Sequence, residues 1–163
     1  VQAYGQRNLD SSLLLLPLVG FLPAQDLRIV NTVKAIEHEL MHNGFLIRYQ
    51  TEKHDDGLTE SEGAFLACTF WLADCLVLQG HVTEAKQYFE RLLSIQSDLG
   101  LFAEEYDSLN KRQLGNFPQA LSHIALINTA RNLSPVRGPA EDRSNETADF
   151  SKPNFPHPRR KAA

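Results

Sequence analysis

Residues 62–79 read Glu62-Gly63-Ala64-Phe65-Leu66-Ala67-Cys68-Thr69-Phe70-Trp71-Leu72-Ala73-Asp74-Cys75-Leu76-Val77-Leu78-Gln79. The stretch reads as one helix, apolar nearly all round, and such a helix must be buried on most of its sides. Gly80 closes it. Thr83 and Glu84 open a further helix whose stripe is Ala85, Tyr88, Phe89, Leu92 and Leu93. Two helices joined by so short a turn pack antiparallel.

Working outward, residues 10–22 give an apolar helix that stops near Phe21-Leu22-Pro23. Asp26 caps the next, whose apolar face carries Ile29, Val33, Ile36 and Leu40 and which Asn43-Gly44 ends. Residues 45–49 are short and alternating, and 51–59 form a polar loop with Asp55-Asp56-Gly57. Toward the other end, Pro118 lies near the first turn of a last helix reaching about Arg131. The expected class is all-α, built from antiparallel helical hairpins over residues 1–133. From Ser134 the composition changes: five of the eight prolines lie beyond it and apolar residues are sparse. Residues 134–163 are expected to form a disordered tail, with Arg159-Arg160-Lys161 a solvated end and Asn145-Glu146-Thr147 a chance glycosylation pattern.

With 163 residues the chain is long enough for one domain with a substantial core. A net charge of −4 with interspersed signs gives no nucleic-acid footprint and suits a neutral substrate. The longest apolar run, 13–22, is broken by Pro17 and Gly20, so no membrane span is expected. The start Val1-Gln2-Ala3-Tyr4 has no methionine, basic segment or cleavage signal, which leaves a fragment and a processed product both open. Cys68 and Cys75 fall on nearly one helix face about two turns apart, too far to bridge. They read as small buried hydrophobes in a reducing compartment, and the expected location is cytoplasmic. His38 and His42, four apart on one helix, could suit a metal, and His123 lies near the candidate site, but no carboxylate completes a His-Glu-x-x-His set; solvated side chains are the reading, and neither a metal ligand nor a cofactor is expected. Residues 80–93 look like one helix of a tetratricopeptide repeat, but no fixed period recurs.

The chemistry gathers in Glu104-Glu105-Tyr106-Asp107, followed by Gln113-Leu114-Gly115-Asn116-Phe117-Pro118-Gln119. Carboxylates, amides and a phenol in a loop between apolar helices meet the needs of a sugar-hydrolysing site, which must activate a water and grip hydroxyls. Gly115 permits a close approach or a sharp turn. Gln113 and Asn116 either serve sugar hydroxyls or tie the loop together. Arg48 can fork to vicinal hydroxyls or hold a carboxylate charged, against the alternative of a surface charge. Tyr49 offers a stacking face or ordinary packing. Glu62 is either a capping carboxylate at a helix start or a substrate contact. Trp71 reads as core.

These residues, with Leu14-Leu15-Leu16-Pro17-Leu18-Val19-Gly20-Phe21-Leu22-Pro23, Arg48-Tyr49 and the stretch from Glu62 to Trp71, come in an order and spacing that resembles the C-terminal part of glycoside hydrolase family 15. That is the glucoamylase, glucodextranase and trehalase-like family, and the resemblance runs over residues 9–128. It implies part of an (α/α)6 barrel and an inverting mechanism with Glu104 as general base. It further implies Arg48, Tyr49, Glu62, Glu105, Tyr106, Gln113 and Asn116 as substrate-binding residues. Fungal members carry a tryptophan near the position of Ala64. The family's general acid lies ahead of anything matched here, so the chain reads as a base-bearing C-terminal piece, inactive alone. The implied partners are an α-glucoside (trehalose, maltooligosaccharide or a related glucan) and the remainder of the barrel, whose absence should leave the helix of residues 62–79 short of cover. The Glu104 loop, the Arg48 loop and the start of that helix are expected at one end of the fold. The alternative is a non-catalytic module of helical hairpins that binds other proteins.

Overall fold

The computed structural model describes Gly5, residues 8–50 and 63–134, and Ala140. The buried Asp10 carboxylate accepts the Ser12 N–H at 2.7 Å and caps a 3-10 turn, Ser11–Leu14, that runs directly into α1 (Leu15–Leu18). The expected helix over 10–22 is thus a shorter, two-part element. Asp26 caps α2 (Leu27–Leu40) by accepting the Arg28 N–H at 2.9 Å, and Ile29, Val33, Ile36 and Leu40 form its buried face as the spacing predicts.

Helix α2 stops at Leu40, before Asn43-Gly44. Met41–His42 (β1) and Phe45–Leu46 (β2) pair antiparallel around those two residues, whose φ angles are 51° and 84°. Two successive positive φ values match the strand twist of a tight hairpin, which is why Asn-Gly makes this turn rather than a helix end.

After residues 51–62, which include Glu62 and the polar loop and lie outside the described part, come β3 (Ala64–Phe65), α3 (Leu66–Leu78) and α4 (Val82–Leu93). They are followed by β4 (Glu105–Asp107), β5 (Arg112–Leu114) and α5 (Ala120–Asn132). Helix α3 starts later than its apolar composition suggests, because Ala64 and Phe65 are extended and pair with Tyr106 and Glu105. Strand β4 pairs in turn with β5. Among the described residues the fold is therefore mainly helical with two small antiparallel sheets, and the all-α expectation is corrected to that extent. Pairings of two or three residues are too short to leave a period-two signal.

Every residue of α3 except Trp71 is buried. One core cluster packs Leu14, Ile29, Val33, Ile36 and Leu40 against Leu72, Cys75 and Leu76. The other gathers Phe45, Phe70, Leu92, Phe102 and Ala125, with the Phe70 and Phe102 rings edge to face at 5.9 Å. Trp71 packs against both clusters. Both cysteines are free, and burial pushes their thiols well above the usual range.

Helix α5 has an inverted pattern. It turns Ser122, Ala125, Thr129 and Asn132 inward, while Leu121, Ile124 and Ile127 are 40 to 58% exposed. Its buried polar groups have partners: Thr129 Oγ1 donates to the Phe70 carbonyl, and Asn132 joins the buried Asp74 at 2.9 Å. Among the described residues α5 thus leaves a row of apolar side chains uncovered, as Val19, Phe21 and Leu27 are elsewhere, whereas α3, expected to be the worst covered, is enclosed. Ala140 is buried and donates its N–H to Asn132 Oδ1. The rest of the expected tail beyond Ser134 is outside the described residues.

Thr69 Oγ1, buried on α3, accepts the N–H of Leu46 at 2.9 Å. Thr69→Val strands that buried donor and should lower unfolding free energy by about 1–3 kcal/mol. Thr69→Ser should retain most of the stability. Urea denaturation of the two variants beside the parent chain measures the difference.

Candidate active site

Glu104 enters β4 from an extended segment, and its main chain is fixed on both sides. Its N–H donates to the Asn116 carbonyl at 3.0 Å, and its carbonyl accepts the Leu66 N–H at 3.1 Å. Glu104 Oε2 accepts from Asn116 Nδ2 at 2.8 Å and from the Asn116 backbone N–H at 3.3 Å. The approach depends on Gly115, whose φ is 74°. A Cβ there would stand 3.0 Å from Glu104 Cβ and 3.1 Å from Oε2.

Glu105, the next residue along the strand, points to the other face. Its Oε2 accepts the Gly63 N–H at 2.9 Å. Tyr106 is buried with its ring 5.2 Å from that of Phe45. Gln113 faces inward: its Oε1 accepts the Ala103 N–H, and its Nε2 donates to the carbonyls of Ile95 and Leu101 at 3.0 and 3.2 Å. Gln113 ties the loop, and Asn116 ties Glu104. Asp107 caps the β4–β5 turn through Leu109, Asn110 and Arg112, and the Asn110 bonds hold its carboxyl below the usual range.

Arg48 stands on a different loop. Its Nε lies 4.0 Å from Asp10 Oδ2, its guanidinium carbon is 5.4 Å from the centroid of the Tyr49 ring, and its side chain is half exposed. That loop and the Glu104 loop both abut the start of α3: Leu66 binds Glu104, and Thr69 binds Leu46, two residues before Arg48. Beside them opens a hollow of ≈ 560 Å³, lined by His42, Asn43, Ile47, Gly63, Tyr106 and Asp107 among others. Neither Glu104 nor Arg48 lines it. The structure thus brings Glu104, Glu105, Tyr106, Gln113 and Asn116 together, sets Arg48 and Tyr49 apart at the same end of α3, and leaves Glu62 undescribed. Among the described residues no three His, Cys, Asp or Glu side chains gather as a metal site.

The glycosyl hydrolases family 15 model matches residues 1–131. The chain belongs to that family.

Among its curated relatives, the trehalase of Mycobacterium tuberculosis is 46% identical over 155 residues, covering 95% of this chain and 22% of the relative. The trehalase of Mycolicibacterium smegmatis is 47% identical, with 95% and 23% covered. That of Thermoplasma acidophilum is 47% identical over 133 residues, with 82% and 22% covered. The family 15 chain therefore spans about a fifth of the length of these relatives. No solved structure matches it. No helix among its described residues is long and apolar enough to cross a membrane.

Two further residues hold the Glu104 segment: Ser122, which sequence reading missed, and His123, which it noted near the site without this role. Ser122 Oγ donates to the Ala103 carbonyl at 2.8 Å, and His123 lies against Phe102. Small polar side chains on a helix carry no signal of which carbonyl they will reach.

Gly115→Ala places a methyl group against Glu104 at a positive φ. It should destabilise the chain by about 1–2 kcal/mol and shift the amide resonances of Glu104 and Asn116. Denaturation and two-dimensional NMR of the variant check both.

Proposed function

We propose that this family 15 chain is the base-bearing C-terminal part of an inverting α-glucosidic hydrolase, with trehalose as the favoured substrate. The observation that carries the reading is the seating of Glu104 in a chain 46–47% identical to mycobacterial trehalases. Among the described residues only Asn116 bonds its carboxylate, and only through Oε2. The other oxygen is then available to take a proton from the water that attacks the anomeric carbon.

Inversion requires a second carboxyl, an acid, about 6.5 to 9.5 Å away across the scissile bond. Glu105 cannot serve, since it points to the opposite face and is engaged by Gly63. The acid is therefore assigned to the part of the protein that precedes the matched segment, and the chain is inactive by itself. Arg48 and Tyr49 present a guanidinium and a ring to the sugar, and Asn116 and Glu62 are further substrate contacts in this reading. Glu105, Tyr106 and Gln113 shape the wall behind the base. In this reading residues 1–133 are part of an (α/α)6 barrel, and the protein works in the cytoplasm. The exposed Leu121, Ile124 and Ile127 of α5 are where the remainder of the barrel packs. Family membership gives no support to the interaction-module alternative.

In the complete hydrolase, Glu104→Gln should lower kcat on trehalose by about 10² to 10⁴ with little change in KM, because a base acting on water matters mainly in the transition state. Glu105→Gln should be milder. A larger kcat loss in Glu105→Gln would reverse the assignment. The isolated 163-residue chain should release no glucose from trehalose, maltose or isomaltose, and measurable turnover of any of them would refute the missing-acid argument.

A further inference from the structure

The four residues 101–104 that deliver Glu104 belong to no helix or strand, yet each of their backbone groups has a partner. Leu101 exchanges bonds with Ser97: its N–H reaches Ser97 Oγ and its carbonyl accepts the Ser97 N–H, both at 3.0 Å. The Phe102 carbonyl accepts the Gln119 N–H at 2.9 Å. Ala103 is held by Gln113 Oε1 on its N–H and by Ser122 Oγ on its carbonyl. Glu104 is bonded through its N–H to Asn116 and through its carbonyl to Leu66, and the one group left, the Phe102 N–H, donates to His123 Nε2 at 3.3 Å.

His123 Nδ1 lies 2.7 Å from the Gln119 carbonyl oxygen. A carbonyl only accepts and a backbone N–H only donates, so the imidazole must carry its proton on Nδ1 and leave Nε2 bare. The result is a closed ring: Gln119 N–H to Phe102 carbonyl, Phe102 N–H to His123 Nε2, and His123 Nδ1–H to Gln119 carbonyl. Phe102 is fully buried, with its ring edge to face on both Phe70 and His123. The ring thus locks the extended segment onto the first turn of α5, two residues before Glu104.

We propose that His123, as the neutral Nδ1–H tautomer, is a positioning residue that sets the main chain from which Glu104 acts. The inference rests on the reading of Glu104 as base. His123 acts through Phe102, without touching substrate. It binds no metal in this role, since its bare nitrogen is occupied by the Phe102 N–H.

Two measurements test it. In the 163-residue chain, imidazole nitrogen-15 shifts at neutral pH should report a proton on Nδ1 and none on Nε2 of His123. In the complete hydrolase, His123→Leu should lower kcat by about 10- to 10²-fold, the loss that follows a displacement of about 1 Å, with KM nearly unchanged. His123→Gln, whose Oε1 accepts the Phe102 N–H again, should recover most of that loss. A proton on Nε2, parental kcat in His123→Leu, or equal losses in the Leu and Gln variants would each overturn the proposal. Failure of the base assignment looks different: Glu104→Gln would then turn over like the parent while the imidazole signature stayed in place.

Discussion

The bond from the Leu66 N–H to the Glu104 carbonyl couples the candidate site to the core. Leu66 is the first residue of α3, and the helix has no side-chain cap at that end. The first N–H groups of any helix lack intrahelical partners, and in a buried helix a missing partner is costly. The main chain of the candidate base meets this need. The most enclosed helix of the molecule and the carboxylate loop therefore fix each other, and a shift of α3 along its axis would move Glu104 with it.

The same end of α3 collects the other loops. The hydroxyl of Thr69, one turn further along, receives the N–H of Leu46, which brings the hairpin and the Arg48 loop to the helix start. Tyr106 then packs on Phe45, joining the two small sheets through their side chains. Polar residues gather here because the helices leave their turns at this end, and short strand pairings give those turns fixed positions.

Helix α5 combines two roles that pull its composition in opposite directions. Its inner face must approach the segment 101–104 closely enough for Ser122 and His123 to bond that backbone, and this favours small and polar residues. Its outer face is apolar and open.

The sequence alone determined the helical elements with strong periodicity. Asp26 and the Ile29, Val33, Ile36, Leu40 stripe mark α2, and the unbroken apolar run marks α3, since each signal is local and repeated. It also carried the family, through motifs from Leu14 to Ala120. It did not reveal that Asn43-Gly44 turns a hairpin, that Ala64 and Phe65 are extended, or that Gln113 faces inward, because those outcomes depend on partners tens of residues away. Nor did spacing alone separate the two carboxylates, which only the family resemblance told apart. Glu104 and Glu105 are the same side chain in adjacent positions, and only the pairing of β4 between β3 and β5 turns one toward Asn116 and the other toward Gly63.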